Sequence, residues 1–298
     1  MATGFFNHPL IRIFFAVVFT FLIIFFILFL AVFFLGKASD ISVSTPENSI
    51  GVIEISGLIR ESETVVKNLQ KFAKDKNIKA IVLKLNSPGG GVVPSREIYS
   101  EVLKIKKKKK VYAYLQSVAA SGAYYIACAC DKVISNPGTI TGSIGVILEF
   151  TNFRQLFDKL GIKAIVIKSG KFKDVGNPFR PVTDEEKELL NNVVLNIYNQ
   201  FLRAVSENRH IKIEELKKIA DGRVFSGEQA LGYKLVDSLG SFTDVIDMIK
   251  KDCKIEGEPE LVFPVRKRNF IEKILEDSEK TFIDFLEKSL IKVSYTTG

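Results

Sequence analysis

The sequence contains few of the side chains that most often build metal and catalytic centres. It has two histidines, three cysteines and no tryptophan. The cysteines, Cys128, Cys130 and Cys253, match neither a CxxC motif nor a zinc spacing, and their odd number argues against a disulfide framework. Two histidines leave little room for a histidine-rich metal site or for a histidine-based catalytic triad.

Positive charge is in excess, with a formal net charge of +8 and a pI near 9.2. Such a balance can indicate a nucleic-acid partner. Two short runs, Lys104–Lys110 and Arg266–Arg268, account for the excess. The first run ends a predicted helix, where cations complement the negative helix terminus, and no aromatic residues for base stacking interrupt it. We therefore predict no nucleic-acid partner.

One long apolar run lies near the amino terminus. Residues 13–35 carry no charge, and Thr20 is the only polar residue among them. As a helix this run would be about 34 Å long, enough to cross a hydrocarbon core of about 30 Å. The alternative, a cleaved signal peptide, has a shorter apolar region and a small-x-small cleavage site, for which Gly36–Ser39 is a poor match. We predict an uncleaved transmembrane anchor in contact with membrane lipid.

The flanking residues suggest an orientation and a division into segments. Arg12 precedes the run, whereas Lys37 after it is followed by Asp40 and Glu47, so the small positive-inside bias favours a cytoplasmic amino terminus and an extracytoplasmic remainder. We expect a short tail (1–12), the anchor (13–35), a polar tether (36–48), a folded domain (49–252) and a carboxyl-terminal strand with an amphipathic helical tail (253–298). That tail could lie on the membrane surface or on the domain.

The folded domain alternates short β-branched runs with helical patterns, which predicts an α/β fold with a mostly parallel sheet. Capping-box sequences at Thr183 and Ser226 predict two helix starts, the first opening a long amphipathic helix. The predicted strands are 50–55, 78–85, 111–115, 132–135 and 162–167, and the other predicted helices lie near 61–75, 95–107, 153–160 and after Ser121.

Two glycine-rich or small-residue loops follow predicted strands. The loop Asn86–Gly91 has three glycines, so its backbone can turn sharply and leave N–H groups free for an anion or a developing oxyanion. It has neither GxGxxG spacing nor a Walker lysine, which argues against dinucleotide and P-loop sites. The second loop places Ser121 among small residues, which suits a nucleophile that a substrate must approach. A plain helix N-cap is the alternative for Ser121.

A nucleophilic Ser121 would need a base. His8 precedes the predicted anchor, and His210 lies in a charged stretch typical of a solvated residue, so a Ser-His-Asp triad is nearly excluded. The remaining common solution is a lysine whose pKa is lowered from about 10.4 by burial or by nearby positive potential. The chain has many lysines, and their residue type alone does not select one.

Five motifs, in this order, resemble the SppA/protease IV signal peptide peptidases. The resemblance covers about residues 50–250 and is closest to the short, single-domain form of the family. The motifs are Asn86–Gly90, Ala119–Gly122, Thr141–Val146, Ser169–Asp174 and Gly222–Gly227. The resemblance implies a ClpP/crotonase-like α/β fold and a serine endopeptidase with a Ser-Lys dyad. Residues 49–252 would then be the peptidase domain.

The resemblance also implies roles for individual residues. Ser121 would be the nucleophile and Lys173 the general base, with Lys171 the alternative base. Ser143 would orient the lysine. The backbone N–H groups of Gly90 and Gly122 would form the oxyanion hole, with Gly89 the alternative to Gly90.

The implied activity is hydrolysis of apolar peptides, such as released signal peptides, without metal or cofactor. The resemblance further implies a homo-oligomeric ring with active sites at subunit interfaces. Two other functions share the fold: a crotonase-like acyl-CoA enzyme and a catalytically inert membrane scaffold. The anchor, the paired Ser121 and Lys173 and the lack of a carboxylate motif for enoyl chemistry argue against the acyl-CoA enzyme. The intact Ser121 and Lys173 motifs argue against the inert scaffold.

Overall fold

The computed structural model describes residues 13, 17–27, 30 and 45–264. The described positions within the predicted anchor are helical. No helix in these described ranges has both the length and the apolarity needed to cross a membrane. The other residues of the predicted anchor, residues 36–44 of the tether and the predicted helical tail lie outside the described residues. These elements and the orientation therefore stay predictions.

Between residues 45 and 264 the strands are β1 (Ser49–Ser56), β2 (Ile78–Ser87), β3 (Lys110–Ala120), β4 (Lys132–Ser135), β5 (Ile140–Gly142), β6 (Val224–Ser226), β7 (Ser238–Leu239) and β8 (Leu261–Val262). They form one eight-stranded sheet in the order β6-β5-β3-β2-β1-β8, with β4 pairing with β3 and β7 pairing with β4. Every pairing is parallel except that of β5 with β6. The predicted mixed α/β fold with a mostly parallel sheet is thus confirmed.

Helices follow most strands, as the alternating pattern predicts. Both predicted capping boxes are present, at Thr183 before α5 and at Ser226 before α7. The helices of the part from residue 45 to 264 are α1 (Glu63–Lys74), α2 (Val92–Ile105), α3 (Gly122–Ala127), α4 (Arg154–Lys159), α5 (Asp184–Arg209), α6 (Ile213–Lys217), α7 (Gly227–Gly232) and α8 (Phe242–Cys253).

The sheet is covered on both faces, so strand β2 is buried along nearly its whole length. On one face, Ile81 and Leu83 belong to a core shared with side chains of α1, α2 and α3. On the other face, Val82 packs in a smaller cluster that contains Val245 and Ile249 of α8. The carboxyl ends of β2 and β3 therefore project from a rigid support.

The predicted strand at 162–167 is wrong. These residues form neither strand nor helix, and Ile165 and Ile167 are 88% and 97% exposed. β-Branched residues fit a pleated, half-buried surface, but a strand also needs a partner edge. In the described part of the chain, β5 pairs with β3 and β6, and the segment 146–183 adds no strand to the sheet.

The buried hydroxyl of Tyr124 gives a test of the core. It donates a hydrogen bond of 2.8 Å to the carbonyl oxygen of Leu235, and the Tyr124 side chain is fully buried. Tyr124→Phe leaves that carbonyl unpaired, so we expect the free energy of unfolding to fall by about 1–3 kcal/mol. Urea denaturation of the full chain at neutral pH measures this change.

Tyr233→Phe is the matched control, because Tyr233 is 44% exposed and its hydroxyl bonds to none of the described residues. It should change the unfolding free energy by less than about 0.5 kcal/mol. Equal losses in the two variants would show that the Leu235 hydrogen bond is not the cause.

Candidate active site

Ser121 lies at a sharp turn between β3 and α3. Its backbone has φ 53° and ψ −121°, a left-handed conformation that is strained for any residue other than glycine. The turn is held by the Ser121 N–H, which donates to Gly142 O at 2.9 Å, and by Tyr125 N–H, which donates to Ser121 O at 2.8 Å. Ser121 occupies the N-cap position, but its side chain makes no capping bond. A strained strand-to-helix turn is also the setting in which a nucleophile elbow exposes its serine.

The glycine loop after β2 packs directly against this turn. Gly89 has φ 104°, and a Cβ atom placed on it would lie 2.7 Å from Gly122 N and 2.8 Å from the Ser121 Cβ atom. A Cβ atom on Gly90 would overlap the backbone of Ile59, with which Gly90 forms a parallel bridge. Glycine is therefore required at both positions, because the two loops approach closer than a side chain permits.

Two backbone donors are left free beside Ser121. The N–H groups of Gly90 and Gly122 donate to none of the residues described, and a Cβ atom on Gly122 would lie 3.3 Å from Gly90 N. The Gly89 N–H, in contrast, donates to Ser87 Oγ at 3.1 Å. This favours Gly90 over Gly89 as the second donor. A pair of free, fixed N–H groups next to a serine hydroxyl suits an oxyanion hole.

Ser143 follows β5, the strand that holds the Ser121 turn. Its neighbour Gly142 accepts the Ser121 N–H bond, and the Ser143 N–H donates to Arg223 O at 2.8 Å. Ser143 has φ 51° and is half-buried. The sheet thus brings Ser143 to the end of the strand beside Ser121, and its predicted role in orienting a lysine stays a prediction.

Lys173 and Lys171 lie away from this group of residues. Lys173 is exposed in a turn, where its N–H donates to Gly170 O at 3.2 Å, and it does not line the cleft that contains Ser121. The exposed Lys171 forms an ion pair with Glu185. Of the predicted site residues, the chain therefore assembles Ser121, Gly90 and Gly122, with Ser143 one strand away, and leaves the lysines outside.

A small cleft with a cavity volume of about 50 Å³, partly open to solvent, adjoins Ser121 and the two glycines. The sequence analysis did not predict the residues that line this cleft. Several of them belong to α5, which is distant along the chain from Ser121. Tyr125 is central: its ring lies 4.7 Å from that of Tyr99 and 4.9 Å from that of Phe201. The walls include apolar Val92, Val146, Ile197 and Phe201 and polar Ser95, Arg96, Tyr125 and Gln200.

Arg96 donates hydrogen bonds to two other polar residues of the cleft wall, Tyr125 and Gln200. Its Nη1 donates to the Tyr125 hydroxyl and to Gln200 Oε1, each at 3.2 Å. Burial raises the pKa of Tyr125, and the nearby Arg96 opposes this only in part. The phenol is therefore neutral at physiological pH and can accept the bond. Among the described residues, no group of three or more His, Cys, Asp or Glu side chains converges as a metal site.

Comparison with known sequences identifies the family. Residues 104–256 match Peptidase family S49, and residues 51–139 match Clp protease. The chain is 37% identical over 203 residues to a protein named as a protease from Methanocaldococcus jannaschii, and 40% identical over 203 residues to one from Synechocystis. It is 38% identical over 194 residues to a protein named as the signal peptide peptidase SppA from Enterococcus faecium.

The chain belongs to peptidase family S49. The matches cover 68%, 67% and 65% of this chain and 65%, 73% and 56% of the three relatives, in the order given above. The resemblance to the SppA/protease IV peptidases is thereby confirmed.

The lysine-bearing turn of this S49 peptidase is held by an ionic cluster around Arg180. Arg180 donates to both carboxylate oxygens of Asp174 at 2.9 Å, and its Nη2 donates to Glu186 Oε1 at 2.5 Å. Lys168 also pairs with Asp174. Asp174 directly follows Lys173, so the cluster fixes the turn from its carboxyl side.

The same contacts shift the pKa values of the carboxyl groups. Arg180, followed by the Thr183 N–H, lowers the pKa of Glu186 from 4.5 to about 2. Hydrogen bonds from Arg180 and Lys168 hold the pKa of Asp174 well below its usual value. A carboxyl group whose pKa is lowered by folding stabilises the folded turn. The stabilisation is complete when the pH is above the pKa of the group in the unfolded chain, and it is lost as the pH falls through the pKa of the group in the folded chain.

We therefore expect the turn at 169–182 to open as the pH falls from about 4.5 towards 2, the range set by Glu186. Hydrogen exchange of this segment, corrected for the intrinsic rate at each pH, measures the opening. Glu186→Gln removes the charge, so exchange should already be faster at neutral pH. Glu188→Gln is the control, because Glu188 is exposed on the same helix and pairs with none of the described residues, so it should leave the exchange unchanged. An equal effect of both substitutions would contradict the role of the Arg180 cluster.

Proposed function

We propose that the chain is a membrane-anchored serine endopeptidase that uses a Ser121–Lys173 dyad to degrade apolar peptides such as released signal peptides. Residues 13–35 would anchor it in the cell membrane as a single-pass protein, with the amino terminus cytoplasmic and the catalytic domain extracytoplasmic. The chain would act as a homo-oligomeric ring, without metal or cofactor.

One observation carries this proposal: Ser121 lies at a strained turn beside two backbone N–H groups with no partner in the described part of the chain. A helix-capping serine needs neither the strain nor the free donors. Strain of this kind costs about 1–3 kcal/mol and persists only where the surrounding structure enforces it, which is common at catalytic sites. Membership in a peptidase family supports acyl transfer from peptides as the reaction.

In the proposed reaction, the Lys173 amine accepts the proton of the Ser121 hydroxyl as Ser121 Oγ attacks the carbonyl carbon of the scissile peptide bond. The developing oxyanion accepts hydrogen bonds from the Gly90 and Gly122 N–H groups. The C–N bond breaks, the Lys173 ammonium returns the proton to the leaving amine, and water then hydrolyses the acyl-enzyme. Ser143 would hold the lysine side chain in place. Extended peptides would bind by strand addition.

Hydrolysis of an apolar fluorogenic peptide by the full chain in detergent tests the dyad. Ser121→Ala and Lys173→Ala should each lower kcat by a factor of roughly 10³ or more, because nucleophile and base act as a unit. Lys171→Ala is the matched control and should keep most of the activity. An inactive Lys171→Ala with an active Lys173→Ala would assign the base to Lys171 instead. Failure of Ser121 to react with a fluorophosphonate would favour an inert scaffold.

The proposed ring rests on the position of Lys173. In one chain this lysine is exposed outside the Ser121 cleft, so a second copy would have to bring its lysine to the cleft. The segment 146–182 also exposes large apolar side chains, including Ile147, Ile165 and Ile167. Exposed apolar surface of this kind is typical of protein–protein contacts.

Mixing two inactive variants tests whether the site is shared. In a random assembly of Ser121→Ala and Lys173→Ala chains, about a quarter of the interfaces would join an intact serine to an intact lysine. We expect the mixture to recover up to about that fraction of wild-type activity after dissociation and reassembly. Mixing Ser121→Ala with itself under the same treatment is the control. If assemblies shown to contain both variants recover no activity, the serine and the lysine of each site belong to the same chain.

A further inference from the structure

The cleft beside Ser121 has a charged group in an otherwise mostly apolar wall. Val92 and Ser95 stand on the first turn of α2 and Arg96 follows directly, while Ile197, Gln200 and Phe201 face the cleft from α5. The cleft begins at the nucleophile and the two oxyanion donors. A side chain that enters it therefore belongs to the residue whose carbonyl group is attacked, the P1 residue.

Arg96 is placed to recognise such a side chain. Its two hydrogen bonds run from one nitrogen, Nη1, to neutral acceptors, the Tyr125 hydroxyl and the Gln200 side-chain oxygen. No carboxylate among residues 45–264 forms an ion pair with it. By contrast, Arg209 and Arg180 are paired with carboxylates. The guanidinium has five donors in a fixed plane, so Nη2 and Nε remain available to an incoming acceptor.

The neighbouring contacts fix the Arg96 side chain at the cleft. Tyr125 is only 7% exposed and packs between two aromatic rings, so its hydroxyl is a rigid anchor. Gln200 belongs to the 26-residue helix α5, which the Thr183 capping box begins. Anchors from two separate helices restrict the guanidinium, which lowers the entropic cost of binding a ligand.

We propose that Arg96 determines the P1 specificity of this peptidase. Within an otherwise apolar peptide, the favoured P1 side chains have an aliphatic stem, which the apolar wall accepts, and end in a hydrogen-bond acceptor, as in glutamate and glutamine. Lysine and arginine are rejected, because their cations would lie against the guanidinium. The inference rests on the proposed function and adds to it the chemical class of the residue at the cleavage site.

Peptides that are identical except for Leu, Gln, Glu or Lys at P1 test this proposal in the full-length protein. The measured quantity is the ratio of kcat/KM for the Glu peptide to that for the Lys peptide. For the wild type we expect a ratio of at least about 10, because like charges in contact cost several kcal/mol. Arg96→Met keeps an unbranched stem without charge and should bring the ratio close to 1. Arg96→Glu should reverse the preference and favour the Lys peptide.

Arg203→Glu is the matched control. Arg203 lies on the same helix as Gln200 and lines the adjacent groove with Tyr99 and Glu207, but it does not line the Ser121 cleft. The same change of charge there should leave the Glu-to-Lys ratio within about twofold, because exposed charges beyond contact distance are screened by solvent and salt. Equal shifts for Arg96→Glu and Arg203→Glu would overturn the contact proposed for Arg96.

Labelling with a small fluorophosphonate, which carries no P1 side chain, distinguishes failure of the specificity inference from failure of the proposed function. If Ser121 is labelled in every variant and the wild-type ratio is close to 1 or does not change in Arg96→Glu, the specificity inference fails and the peptidase proposal stands. If the wild-type chain is neither labelled nor active on any of the four peptides, the proposed function fails and the inference falls with it.

Discussion

The active-site geometry depends on how closely two loops approach each other. Gly89 and Gly90 leave no room for a Cβ atom, because the Ser121 turn and the Ile59 backbone occupy that space. The contact fixes two N–H groups next to the serine hydroxyl. Each loop is in turn an extension of a buried parallel strand, β2 or β3, and the two strands pair directly. The relative position of Ser121 and the two N–H groups is therefore set by the register of the sheet rather than by side-chain packing.

The sequence alone identifies these two loops, since their determinants are local. Glycines must stand where the backbone turns sharply, and small residues must surround an accessible serine. The alternation of strands and helices then brings both loops to the same edge of a parallel sheet. The capping boxes at Thr183 and Ser226 were equally predictable, because a cap depends on residues only three positions apart.

Other features depend on contacts that no local pattern reveals. The apolar run 162–167 has the composition of a strand, yet it pairs with no strand in the described residues. The cleft walls join α2, α3 and α5, so Arg96 meets Gln200 across 104 positions of sequence. The spacing of residues within α2 predicts which face of the helix carries Arg96. It does not predict that Gln200 of α5 lies opposite that face. Lys173 shows the same limit: the motif match assigns it a role, but no local pattern predicts that it lies outside the Ser121 cleft of its own chain.

His210, the one histidine among the described residues, does not line the Ser121 cleft. His210 is the C-cap of α5, where it adopts a left-handed conformation with φ 54° and ψ 38° and is exposed. The described chain therefore uses His210 to end a helix, and a serine-dependent reaction needs another base. A lysine on a separately anchored turn meets this need in the proposed mechanism, with Arg180 rather than the sheet holding the turn in shape.

In the proposed function, chemistry and selectivity depend on different kinds of groups. The Ser121 turn and the two free N–H groups are backbone features of β2, β3 and their loops, so they tolerate few changes of residue. The cleft walls are side chains of α2 and α5, which are exposed or half-buried at Arg96 and Gln200. A substitution at Arg96 can change the charge that a substrate side chain meets without moving either donor N–H. The division explains how a peptidase of this fold can acquire a new P1 preference while its reaction stays the same.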